Sequence, residues 1–66
     1  MNIAICSVLL KAYCRPMIET LERDYETPED KLEAVRNSAS DDGNEEIVAI
    51  CDWVESVGLT ETFFPK

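Results

Sequence analysis

Residues 44–58, NEEIVAICDWVESVG, carry the pattern that decides the fold. Ile47, Ile50, Cys51, Val54 and Val57 recur three and four residues apart, the repeat of one helix face. Asn44 supplies an N-cap, and Glu45 and Glu46 meet the positive end of the helix. Gly58 stands where a left-handed residue stops a helix, with Leu59 placed to fold back over it. A helix from about 45 to 57 follows. The stretch before it, Ser40-Asp41-Asp42-Gly43-Asn44, is a turn by composition.

Working upstream, Thr27-Pro28-Glu29-Asp30 marks another helix start: Thr27 at the N-cap, Pro28 at the first helical position, and two acids in the first turn. This helix is expected to run from about 28 to 38 and fray near Ser38. Its apolar face, Leu32, Val35 and Ala39, is thin, which predicts a helix that covers the core without filling it. In residues 3–25 the face is Ile3, Leu10, Cys14, Met17, Leu21 and Tyr25, with Ser7 completing the spacing. Ile5, Val8, Leu9 and Ala12 widen it, predicting burial on several sides. The β-branched opening Asn2-Ile3-Ala4-Ile5 has no second strand-like run to pair with. Pro16 removes a backbone donor and should kink or split this segment, a split making it the first residue of a new helix to about Tyr25.

The expected architecture is all-α: one domain over residues 1–66, a small bundle of three helices at about 3–25, 28–38 and 45–57, and a short tail at 59–66. Any face that the first helix leaves open is expected to be closed by a second copy in a homodimer. A chain of 66 residues forms one domain at most and is marginally stable alone.

Charge is divided unevenly. All fourteen acids lie at or beyond Glu19, while residues 1–18 carry only Lys11 and Arg15, and the net charge is −8. This balance disfavours direct nucleic-acid binding, which needs Lys and Arg to displace counterions, and it disfavours an anionic membrane. A basic protein surface is the natural partner. For most of the acids, plain solvation is the simpler role.

The same composition disfavours catalysis and metal binding. With no histidine, the commonest general base and metal ligand is missing. Cys6, Cys14 and Cys51 show no CxxC spacing and lack a fourth ligand for closed zinc. Asp52 and Glu55 beside Cys51 raise a thiol's pKa and blunt it as a nucleophile. Residues 41–46 concentrate oxygen ligands but break the alternation of a calcium loop, so a capped turn is expected. No enzyme, metal or cofactor is expected. The three thiols read as reduced and buried, in a cytoplasmic protein. Ile3 to Leu10 is too short to span a bilayer and has no basic region before it; Ala12-Tyr13-Cys14 matches a lipoprotein cleavage box only weakly.

Binding is expected from the acids and one aromatic. Ala49, Trp53 and Val57 share a line beside the core stripe, with Glu45, Glu46 and Asp52 near its edge. Such a tryptophan either anchors a partner or completes a small core. Phe63 and Phe64 pose the same alternative. The expected partner-binding set is Glu19, Glu22, Glu29, Glu33, Glu45, Glu46 and Trp53. The acidic runs at 19–33 and 41–46 would also suit nucleic-acid mimicry if their carboxylates shared one face.

The expected function is therefore a non-enzymatic protein-binding module that blocks a basic site on a larger protein. In general character it is similar to the small inhibitors and accessory factors of viruses and mobile elements. The alternative is a structural subunit anchored by its hydrophobic N-terminal helix. A redox- or metal-responsive element using the cysteines is a third reading.

Overall fold

The computed structural model describes residues 2–65, and all regular structure among them is helical. Helix α1 spans Ile3–Cys14, followed by a 3-10 turn at Arg15–Met17, α2 at Ile18–Asp24, α3 at Pro28–Asp41, α4 at Glu45–Ser56 and a single turn, α5, at Thr60–Phe63. No helix is long and apolar enough to cross a membrane among the described residues.

Local chemistry accounts for each boundary. The Asn2 side chain accepts from the backbone N–H groups of Ala4 and Ile5 at 2.9 and 3.3 Å, opening α1. Pro16 has no N–H to continue the ladder, so the chain tightens into the 3-10 turn. The α-helical path resumes at Ile18, two residues later than a start at Pro16 itself. Tyr25 leaves α2 in extended backbone. Thr27 Oγ1 then accepts from the Asp30 N–H at 3.1 Å, with Pro28 at the first helical position.

Helix α3 passes Ser38 and ends at Asp41 because its last carbonyls find donors. Asn44 N–H reaches the Ala39 carbonyl at 2.8 Å and Gly43 N–H reaches that of Ser40 at 3.1 Å, the paired bonds of a Schellman stop. Gly43 takes the left-handed φ of 72° that this closure requires. Asn44 serves twice, since its side chain also accepts from the Ile47 N–H at 3.2 Å and opens α4. Gly58, at φ 74°, repeats the stop: Leu59 N–H bonds the Val54 carbonyl at 3.0 Å and Gly58 N–H that of Glu55 at 3.2 Å. The tail then makes the α5 turn, with Phe63 and Phe64 half-buried against the body; Lys66 lies outside the described residues.

The core joins Cys6, Leu10 and Cys14 of α1 and Leu21 of α2 to stripes from α3 and α4. Two packing expectations need correction. Helix α3 is not a thin cover: Leu32, Val35 and Ala39 are all buried, the last two at 0% exposure, and its contact with α4 is the broadest between helices. A small side chain at a helix contact lets the axes approach, so a thin apolar face can lie at the centre. Helix α1 is buried on one side only. Ile3, Ile5 and Val8 remain 49%, 58% and 68% exposed. A chain this short has too few other elements to surround a helix apolar nearly all round.

Candidate functional site

The packing of α3 on α4 places carboxylates from two helices along one groove. Glu29 and Glu33 lie a turn apart on α3, Asp52 and Glu55 nearly a turn apart on α4, and all four line a cavity of about 440 Å³ with Leu32 in its lining. Arg36 is the cation among them. Its Nε donates to Asp52 Oδ1 at 2.6 Å and its Nη2 to Oδ2 at 3.5 Å. That bond raises the Arg36 pKa and holds the Asp52 carboxyl below the usual range. Glu29, Glu33 and Glu55 make no salt bridge among the described residues. The Glu55 charge also helps to raise the Arg36 pKa, and with four carboxylates to one guanidinium the groove keeps a surplus of negative charge.

The other residues expected to bind do not join this site. Trp53 is half-buried and packs against the core, across the buried stripe of α4 from Asp52. Asp52, expected near the edge of the Trp53 line, gives its carboxylate to Arg36 of α3. Glu45 and Glu46 are exposed at the start of α4. Glu19 is exposed on α2, and Glu22 lines a different groove beside Lys11, Arg15 and Lys31. Glu22 and the group Glu29, Glu33, Asp52 and Glu55 thus line two different grooves. Asp52 and Glu55 were absent from the sequence-derived set. Their three-residue spacing on one flank of α4 was a readable signal, but their meeting with Glu29 and Glu33 depends on how α3 docks.

Within residues 41–46, the side chains of Asp42 and Asn44 have structural work. Tyr13 Oη donates to Asp42 Oδ2 at 2.7 Å, and with its single proton so committed it accepts from Ser38 Oγ at 3.1 Å. The Ser38 bond favours the phenolate, but the Asp42 bond, burial and the Asp42 charge together outweigh it and raise the Tyr13 pKa. This cluster ties α1 to the end of α3.

The three cysteines are free and buried. Burial pushes the Cys14 thiol from 9.0 up to about 11. Cys51 is pushed up to about 12, mainly by burial, with smaller contributions from Cys14 and Asp52. Folded thiols then keep protons that unfolded thiols release, so their share of stability is complete below about pH 9 and declines as pH rises toward about 11. Urea denaturation across this range should show the decline, and Cys51→Val should make it shallower. Equal slopes in the two proteins would count against burial of the Cys51 thiol.

No family model, curated protein or solved structure matches this chain. Its function rests on the geometry above.

Proposed function

We propose that this chain is a non-enzymatic acidic protein-binding module that occupies a basic site on a larger protein, with the α3–α4 groove as its principal contact. The observation that carries this reading is the convergence of Glu29, Glu33, Asp52 and Glu55 from two helices, with Arg36 the one cation among them and salt-bridged to Asp52. Packed helices fix the backbone positions of these carboxylates before a partner arrives, so only side-chain freedom is lost when they meet its Lys and Arg. Net charge of −8 adds long-range attraction to a basic surface. Such a module would act as an inhibitor or accessory factor of the kind carried by viruses or mobile elements. The three free cysteines favour a reducing, cytoplasmic setting.

The test is retention of partner proteins at low and high salt by the natural chain and by a Glu29→Lys, Glu33→Lys, Glu55→Lys variant. A basic protein held at low salt, lost at high salt and lost on reversal is the expected result. Binding indifferent to both salt and reversal would remove the electrostatic model.

A second reading draws on the exposed Ile3, Ile5 and Val8 of α1. These would bury against a second copy or a neighbouring subunit, making the chain a structural component whose acids solvate its outside. Association of this kind persists or tightens as salt rises. Sedimentation of the natural chain and of Val8→Glu separates it from the first reading.

A further inference from the structure

The basic residues are not scattered like the acids. Arg23 is held by Asp24 and Arg36 by Asp52, and Lys66 lies outside the described residues. The remaining three, Lys11, Arg15 and Lys31, all line one groove, and none makes a salt bridge among the described residues. They come from three separate elements: α1, the 3-10 turn and α3. In a chain of net charge −8, solvation alone gives no reason for every uncommitted base of the described chain to meet at one place.

The same groove is apolar inside. Leu10, Ile18 and Leu21 line it from α1 and α2, and Phe63 and Phe64 of the C-terminal segment line it as well. Ile18 is 45% exposed, a large apolar side chain left open to water beside the cations. Glu22 is the single acid in the lining, so the groove keeps an excess of positive charge. Its volume is about 420 Å³, within the range of small-molecule sites and toward its lower end.

We propose that this groove binds a small anionic amphiphile, an aliphatic chain ending in a carboxylate. The chain lies against Ile18, Phe63 and Phe64, and the carboxylate sits among Lys11, Arg15 and Lys31. Arg15 offers a planar fork that pairs with a carboxylate through two hydrogen bonds, and the two lysines add point charges. Charge complementarity decides the occupant: a cationic amphiphile meets three like charges, and a neutral one leaves them unpaired. The acidic remainder of the surface offers a carboxylate no such complement, so any attraction it feels comes from this groove. The α3–α4 acidic groove shares none of these lining residues, so this site stands or falls independently of the proposed protein contact.

The test is titration of the full chain with dodecanoate below its micelle-forming concentration, followed by amide chemical shifts. Dodecyltrimethylammonium serves as the comparison of opposite charge. Saturable shifts around Leu10, Ile18 and Phe63–Phe64 are expected, with much weaker binding of the cation. A Lys11→Gln, Arg15→Gln, Lys31→Gln variant should weaken dodecanoate binding by about tenfold or more, the scale of losing charge-assisted hydrogen bonds. Should that variant lose its helical circular dichroism, Arg15→Gln alone, at an exposed position, gives the same reading with a smaller factor. The proposal is overturned by absence of saturable shifts, by equal binding of both amphiphiles, or by shifts confined to the exposed Ile5–Val8 side of α1.

Discussion

Replacing Leu10 by Ala is expected to remove most of the cooperative unfolding transition. Leu10 is 1% exposed and sits between Cys6 and Cys14 on the single side of α1 that reaches the core. Truncating a buried leucine costs the lost transfer energy plus that of the cavity, about 2–5 kcal/mol. A core of this size supplies only roughly 3–5 kcal/mol, so one substitution matches the whole margin. Urea denaturation followed by far-ultraviolet circular dichroism would show a transition that has lost its folded baseline. Val8→Ala is the matched comparison. Val8 is 68% exposed two residues earlier, and its truncation should change stability by about 0.5 kcal/mol or less. Comparable losses in the two variants would mean that α1 docks by a different face.

Ala39→Leu should destabilise by about 1–3 kcal/mol, the usual cost of forcing added carbons into a filled interior. Ala39 is 0% exposed near the C-terminal end of α3, and its carbonyl accepts the Asn44 N–H that closes the helix. A larger side chain there pushes α3 from its neighbours and disturbs the turn leading to α4. The sign is the informative part. If α3 merely lay over the core, leucine would add apolar cover and raise stability. A lower urea midpoint with an unchanged slope is the expected result, and a higher midpoint would return α3 to a peripheral role.

The readable parts of the fold are those set by neighbours in sequence. Thr27 and Asn44 announce their helices because a side-chain oxygen reaches a backbone donor three residues on. Gly58 announces a stop because positive φ is easy for glycine. The end of α3 lies at Asp41, beyond the fraying expected near Ser38, because the Asn44-to-Ala39 bond that closes the helix runs back five residues and competes with the turn chemistry of Ser40 and Asp41. Glu29 and Glu33 were legible as one acidic flank of a helix, while Asp52 and Glu55 were legible only as charges beside a core stripe.

The sequence by itself determined that the chain is helical, where most of its helices begin and end, that Pro16 interrupts the first of them, and that acid dominates the surface. These follow from local hydrogen bonding, backbone torsion and composition, which no distant residue has to supply. Tertiary structure decided which side of the all-round apolar α1 is buried, that α3 lies at the centre, and which charges meet. Apolar periodicity carries a direction around each helix but no information about the angle and register at which two helices pack. That registry brings Arg36 to Asp52, sets Glu29, Glu33 and Glu55 in the same groove, and gathers Lys11, Arg15 and Lys31 around another. It arises from the shapes of all the buried side chains together, which is why only the folded chain displays it.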